Sequence, residues 1–279
     1  LRIDELFDVR GLAVVVTGAA GGIGFGIADA LADNGARVLL LDKDADRLQA
    51  AVKTLQDRGD AAEAEALDVF DAAALKTVID AFVERAGRLD VVFANAGVSG
   101  GPGFLSADGK RNPAGALEAV SDDLWDAVIE ADLMSVVGMM KAAAPQMKRQ
   151  RSGKIVVTTS VAAAKSENFV GYPYIAAKAA AAHLVRQVGL ELAKYNVQVN
   201  AIAPGPFLTT IGGNRMADSV VRRAFESASL LHRMARPEEI QGLALLLASP
   251  ASSYMTGAQF SIDGGALAGH IAHDDGAID

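Results

Sequence analysis

Tyr174 and Lys178 stand four residues apart in the stretch Tyr172-Pro173-Tyr174-Ile175-Ala176-Ala177-Lys178. On a helix, both side chains lie on one face, about one turn apart. The alanine-rich run that follows favours a helix. A free tyrosine titrates near ~10, too high for a base at neutral pH. A lysine ammonium one turn away stabilises the phenolate; a shift of roughly three units corresponds to about 4 kcal/mol of differential stabilisation. Tyr174 would then be a usable proton acceptor near neutrality. Alone, such a pair is more often a surface tyrosine beside a solvated lysine, so the surroundings decide. The apolar, β-branched run Lys154-Ile155-Val156-Val157-Thr158-Thr159-Ser160 closes fourteen residues before Tyr174. It ends in hydroxyls, as expected of a buried strand that finishes at a site. Ser160 would sit at its carboxyl end, where open α/β sheets bind ligands.

These groups need a frame, and the chain begins with one. Residues 12–17 form a continuous apolar strand that enters Gly18-Ala19-Ala20-Gly21-Gly22-Ile23-Gly24, then a helix to about Asn34 with Gly35 as its stop. Strand, glycine-rich turn and helix make a phosphate-binding arrangement: glycines admit a pyrophosphate to the backbone, and the helix amino end favours its charge. The pattern is T-G-x-x-x-G-x-G, with Ile27 where the last Gly or Ala of G-x-G-x-x-G would stand. A second strand, 37–41, ends in Asp42, eighteen residues after Gly24. An acid there accepts hydrogen bonds from both adenosine-ribose hydroxyls and repels a 2′-phosphate, which favours NAD over NADP. Lys43 is the one hint of NADP tolerance, and the plainer role for Asp42 is to cap the helix at 44–58. Residues 61–67 read as a third strand followed by Asp68-Val69. Asp68 either accepts from the adenine amino group or caps the helix at 71–86. Strand 90–94 ends in Asn95-Ala96-Gly97, small residues that let backbone pass close to a cofactor.

Residues 98–120 are irregular and rich in Gly and Pro, a length that in a compact domain is functional or disordered. A helix resumes near Ser121, where Trp125, Val128, Ile129 and Asp132 recur at helical spacing. Asp132 is an acid on a face that otherwise looks buried, either solvent-facing or a site acid. Pro145 should kink or end this helix. After the Tyr174 helix come a strand at 197–202 and Ala203-Pro204-Gly205-Pro206-Phe207-Leu208-Thr209. The mixed, Gly-containing sequence to about His232 reads as a mobile lid. A helix at 238–248 with Pro237 at its start and a last strand, Gln259–Ile262, precede Asp263-Gly264-Gly265. His270 and His273 lie near acids in the tail, where a solvated or subunit-contacting end is the simpler reading than a metal site.

The chain has 279 residues, 51% hydrophobic, and the strand–helix alternation does not pause, so one domain is expected. It has no cysteine, which excludes thiolate metal sites and disulfides and suits a reducing cytoplasm. A net charge of −8 without a basic run argues against nucleic-acid binding. No apolar stretch is long enough to span a bilayer, and charges interrupt the amino terminus, so a signal peptide is not expected there.

Taken in order, these signatures resemble the short-chain dehydrogenase/reductase family over nearly the whole chain. They are Thr17 to Gly24, Asp42, Asp68-Val69, Asn95-Ala96-Gly97, Ser160, Tyr174 with Lys178, Asn200 through Pro204-Gly205 to Thr209, and Asp263-Gly264-Gly265. The resemblance implies a single Rossmann-like α/β domain, a doubly wound, seven-stranded parallel sheet with helices on both faces. It implies hydride transfer between NAD(P) and an alcohol or carbonyl carbon. Tyr174 would be the acid/base, Lys178 would bind the nicotinamide ribose, and Ser160 would hold the substrate oxygen. The cofactor would lie on Gly18, Gly21, Gly22, Ile23, Gly24, Asp42, Asp68, Val69, Asn95, Ala96 and Gly97. Pro204, Gly205, Phe207 and Thr209 would flank the nicotinamide. A homotetramer packed through the helices of Asp132 and Tyr174 is the family habit.

Two departures stand out. The separation of Ser160 from Tyr174 is one residue longer than usual, which leaves Thr159 as a competitor. Asp132 stands where the family has an asparagine that holds a water linked to the lysine. The expected function is an NAD-dependent secondary-alcohol dehydrogenase or ketone reductase, with Phe104, Phe169, Tyr172, Phe207, Leu208 and Met216 forming a partly apolar pocket. A polyol or sugar is the other substrate class. The rivals are a non-catalytic dinucleotide-binding scaffold, favoured only by Asp132, and an isomerase or dehydratase with tightly held NAD.

Overall fold

The computed structural model describes residues 2–209 and 218–269. The apolar runs become seven strands: β1 (Ala13–Thr17), β2 (Arg37–Asp42), β3 (Ala62–Ala66), β4 (Val91–Ala94), β5 (Gly153–Thr158), β6 (Val197–Pro204) and β7 (Gln259–Ile262). They form one sheet in the order β3-β2-β1-β4-β5-β6-β7, every pair parallel. The chain leaves β1 toward β2 and β3, then returns to β1's other side as β4. That reversal opens a crevice at the carboxyl ends of β1 and β4. The register sets those ends level, with Thr17 opposite Leu41 and Val16 opposite Phe93.

Helices cover both faces. Beyond the short α1 (Ile3–Leu6) these are α2 (Gly22–Asp33), α3 (Ala45–Gln56), α4 (Ala72–Ala86), α5 (Asp122–Ile129), α6 (Ser135–Gln150), α7 (Tyr172–Leu192), α8 (Ser219–Ser227) and α9 (Gln241–Ala248). Successive strand residues point to opposite faces. Val14, Val16, Val38 and Leu40 therefore pack with Leu31 of α2, Leu48 of α3 and Leu247 of α9. Ala13, Val15, Leu39 and Leu41 pack with Ile79 of α4, Met139 of α6 and Val185 of α7. Each fully buried valine or leucine contributes about 1.5–3 kcal/mol. Two covered faces leave the central strands β1, β2 and β4 little or no solvent side, which is why they read as apolar runs, whereas the edge strands β3 and β7 keep half-buried and exposed residues.

The caps assign the acids that the sequence left ambiguous. Asp44 caps α3 by accepting from Arg47 N–H, and Asp71 caps α4 by accepting from Ala73 and Ala74 N–H. Asp42 and Asp68 are thereby left out of both helix caps.

Several expectations need correction. Pro145 does not end its helix, and α6 runs on to Gln150. Pro145 and Lys141 lie on the exposed side while buried Ala142, Ala143 and Met147 hold the other side to the core. The proline therefore frees a carbonyl that water can reach. Between α5 and α6 a π-helical turn, Glu130–Met134, carries Asp132. Within the segment read as a lid, Ser219–Ser227 form α8, capped by Asp218. Residues 210–217, with Met216, and the tail histidines His270 and His273 lie outside the described residues. The helix expected at 238–248 starts as a 3-10 turn, Pro237–Ile240, before α9.

Candidate active site

The carboxyl edge of the sheet opens into a cavity of about 570 Å³. The glycine turn (Gly18, Gly21, Gly22, Ile23, Gly24), Asp42, and Asn95, Ala96 and Gly97 line one part. Asp132, Ser160, Tyr174 and Lys178, with Pro204, Gly205, Phe207 and Thr209, line the rest. Asp68 and Val69 line an adjoining cavity of about 100 Å³ that shares Gly18, Asp42, Ala96 and Gly97 with the larger one.

The glycine turn is held close to itself. A Cβ on Gly24 would stand 2.1 Å from the Gly18 carbonyl oxygen. Gly18 has φ +66°, and a Cβ there would meet Ala96 Cα at 2.9 Å. Gly26, not position 27, makes the close helix contact: its Cβ would meet the Pro237 carbonyl oxygen at 2.5 Å. Ile27 is instead fully buried in the core. The sequence pattern is thus shifted by one residue. Asp42 braces the turn, accepting from Ala20 N–H at 3.1 Å and from Asp44 N–H at 3.1 Å.

Asn95 is a tie between strand ends. Its Nδ2 donates to the Thr17 carbonyl at 3.0 Å, and its Oδ1 accepts from Thr158 Oγ1 at 3.0 Å. Thr17 Oγ1 accepts from the N–H groups of Asn95 and Ala96 at 2.9 and 3.0 Å. β1, β4 and β5 are therefore locked together where the cavity opens. Asp68 accepts from Phe70 N–H at 3.1 Å.

Thr159 and Ser160 separate by their partners. Thr159 Oγ1 donates to the Ile202 carbonyl at 2.9 Å and lies 3.3 Å from Gln259 Oε1. Ser160 Oγ accepts from Ala162 N–H at 3.1 Å, which leaves its own proton available to the cavity.

Lys178 and Asp132 form a buried ion pair at 2.9 Å, with side-chain exposures of 4% and 0%. Lys178 Nζ also donates to the Thr158 carbonyl at 3.1 Å and stands 5.5 Å from the Tyr174 ring centroid. Asp132 Oδ2 accepts weakly from Val98 N–H at 3.4 Å. Oδ1 receives no directed hydrogen bond among the described residues, so its 2.9 Å contact with the lysine is an ion-pair contact only. A Cβ on Gly97 would stand 2.3 Å from that oxygen, so glycine is needed beside it.

Burial pushes the Asp132 carboxyl up, and the Lys178 ammonium opposes that push. Burial works against the Lys178 charge, but the Asp132 carboxylate, then Tyr174, overcome it and hold the ammonium above its ordinary range. A carboxylate in ion-pair contact and a carbonyl oxygen that accepts a hydrogen bond around one nitrogen suit an ammonium, which has charge, three donors and no acceptor. The ionised pair is the state the geometry favours.

Of the expected pocket residues, Phe169 and Phe207 line the cavity. Phe104 and Tyr172 do not; they stack on each other with ring centroids 6.2 Å apart, and Leu208 is also outside the lining. Phe225 and Met234 line the cavity and were missed, because only folding brings them into the cavity that Ser160 also lines. Arg47, Lys165 and Glu167 also line it. The Arg47 guanidinium would meet a Cβ on Gly21 at 2.6 Å. Its signal was its place in the first turn after Asp42 and Lys43.

The sheet order, the glycine turn and the Ser160, Tyr174 and Lys178 wall define a dinucleotide-type α/β oxidoreductase fold. Residues 18–266 match the family model described as "Enoyl-(Acyl carrier protein) reductase". The chain is 32% identical to sorbose reductase sou1 of Schizosaccharomyces pombe, covering 94% of this chain and 98% of that one. It is 32% identical to the 7alpha-hydroxysteroid dehydrogenase of Escherichia coli, covering 96% of each. The solved structure of a gluconate 5-dehydrogenase from Burkholderia cenocepacia, in complex with NADP and tartrate, superposes with a TM-score of 0.85 at 28% identity, covering 96% of this chain and 100% of that one. The chain belongs to the short-chain dehydrogenase/reductase family, whose members are NAD(P)-dependent oxidoreductases acting on small molecules.

Proposed function

We propose that this protein is an NAD-dependent dehydrogenase or reductase of a secondary alcohol or ketone, with Tyr174 as the acid/base. The observation that carries the reading is the Lys178 ammonium, buried 5.5 Å from the Tyr174 ring in the same cavity as the glycine turn. The residues fit the cofactor: the turn packs so closely on its own backbone and on Ala96 that only glycine fits at Gly18 and Gly24, its residues line the cavity, and Asp42 accepts from its Ala20 N–H. A nicotinamide dinucleotide bound there supplies the hydride acceptor or donor.

The chain's own groups do the rest. Ser160 Oγ orients the substrate oxygen with its free proton. Tyr174 Oη takes the proton from an alcohol, or returns it to a carbonyl oxygen. Lys178 lowers the energy of the resulting phenolate, and Asp132 and the Thr158 carbonyl fix the ammonium in place. Asp42 supports NAD as the preferred form. Lys43 and Arg47 beside it are the features that would tolerate a 2′-phosphate. Phe169 and Phe225, edge to face at 5.1 Å, with Met234, suit the hydrocarbon part of a substrate of moderate size.

Exposed Met134 and Leu190 on the helices of Asp132 and Tyr174 support a homotetramer packed through them. No helix among the described residues is long and apolar enough to cross a membrane. The cysteine-free sequence supports a cytoplasmic home.

The test is NADH absorbance against a panel of alcohols and ketones, with Tyr174→Phe beside the wild type. Turnover that Tyr174→Phe abolishes is expected. The Asp132 charge beside Lys178 favours one rival, a non-catalytic dinucleotide-binding scaffold. NADH binding without turnover of any substrate would select it.

A further inference from the structure

Lys165 and Glu167 lie on the loop between Ser160 and α7, and the mechanism above does not use them. Their side chains pair at 3.1 Å and are 27% and 12% exposed. Lys165 Nζ also donates to the Ala266 carbonyl at 3.1 Å. That carbonyl is itself fixed, because Asp263 holds the turn by accepting from Gly265 and Leu267 N–H at 3.0 and 2.8 Å. Both residues line the cavity that holds Ser160 and Tyr174, as do Phe169, Phe225 and Met234.

A half-buried charge pair on a pocket wall carries a desolvation cost. A hydrocarbon substrate would leave its remaining donors and acceptors unmatched when it displaced water from them. A hydroxyl meets both needs at once, since it accepts from an ammonium and donates to a carboxylate. We propose that Lys165 and Glu167 form a hydroxyl-recognition subsite, which selects substrates bearing at least one hydroxyl besides the reacting carbinol. The proposal rests on the dehydrogenase reading above and narrows it. Glu167 balances the Lys165 charge, so a neutral polyhydroxy compound suits the subsite and a carboxylate does not. Phe169 and Phe225 in the same cavity suit ring carbons. The class is therefore a hydroxylated carbocycle or a sugar in its ring form.

The experiment compares cyclohexanol, the 1,2-, 1,3- and 1,4-cyclohexanediols and 4-hydroxycyclohexanecarboxylate as substrates with NAD. A site built to bind a hydroxyl rejects the analogue that lacks it, so the best diol should exceed cyclohexanol in kcat/KM by about tenfold or more. The double variant Lys165→Met/Glu167→Leu leaves no orphaned charge; the ratio of kcat/KM for the best diol to that for cyclohexanol should fall to about one. Glu167→Gln alone should reduce the preference in part. Cyclohexanol matching every diol, the carboxylate emerging as the best substrate, or an unchanged preference in the double variant would each overturn the subsite.

Ligand-observed NMR on NADH-loaded protein separates this from failure of the parent reading. A 1,4-cyclohexanediol contact that the double variant loses, with the NADH contact retained, supports the subsite even if no alcohol turns over. In that case hydride transfer is what fails. No diol contact in the NADH-loaded wild type would overturn the subsite.

Discussion

Asp132→Asn keeps the side-chain shape and removes one charge from the buried pair. Lys178 Nζ stands 5.5 Å from the Tyr174 ring centroid and 2.9 Å from Asp132 Oδ1. The carboxylate oxygen therefore lies no more than about 8.4 Å from that ring. At an effective dielectric of about 20, the ammonium at its distance stabilises an anion on the ring by about 3 kcal/mol. The carboxylate at its greatest distance cancels about 2 kcal/mol of that. While Lys178 keeps its proton, removing it restores the lysine's effect, and about 2 kcal/mol corresponds to about 1.5 pH units; the same change leaves burial of the ammonium less compensated, so the limb is read below the pH at which the lysine discharges. The cavity is open to water, so screening reduces the expected displacement to about 1 unit. The sign follows directly: less negative charge near the phenol favours its basic form at lower pH. The acid limb of kcat/KM for alcohol oxidation should thus move down by about 1 pH unit. Carbonyl reduction should lose rate at high pH over the same window. The assay is a pH series of initial rates in both directions for wild type and Asp132→Asn. Limbs that coincide within about 0.2 units would show that Asp132 carries no charge at working pH, and the ion-pair argument would be refuted.

The other predictions follow from single contacts. Ser160→Ala should lower kcat by about a hundredfold, whereas Thr159→Ala should cost about 1 kcal/mol of stability through its Ile202 bond and leave kcat nearly unchanged; steady-state kinetics with urea melts separate the two hydroxyls. Asp42→Ala should weaken NAD binding by about tenfold and narrow the gap to NADP, because it removes both the ribose acceptor and the 3.1 Å brace on Ala20 N–H; cofactor titration by NADH fluorescence checks it. Burial lowers the Lys154 ammonium to about 8, while its Nζ donates to Ser252 Oγ at 2.7 Å. The unfolded chain then binds more protons than the folded one between about pH 8 and the ordinary lysine range, so this group's contribution to stability rises with pH there. Lys154→Met should therefore stabilise the fold at pH 7 by about 1 kcal/mol after allowing for solvent screening, and the gain should vanish above about pH 10.5. Denaturant midpoints of both proteins across that range test it.

The sequence by itself determined the parallel α/β fold and picked out many of the residues that line the cavity. Buried strands must be apolar on both faces, a phosphate turn must be glycine, and Tyr174 and Lys178 are brought together by helix geometry alone. Such local rules act within a few residues and leave their mark in order and spacing. Asp42 and Asp68 could not be settled that way, since an acid before a helix serves equally as a cap. The structure assigned the caps to Asp44 and Asp71. Gly26 took the close-packing role because Pro237, more than 200 residues later, lies against it, a contact no local pattern encodes. The helix continues past Pro145 for the same reason, as the buried side of α6 outweighs one lost hydrogen bond. Only the tertiary structure set Asp132 against Lys178 and brought Lys165, Glu167, Phe225 and Met234 into one cavity. Those meetings depend on crossings of distant elements, and the energy of a buried charge is fixed by what surrounds it in space.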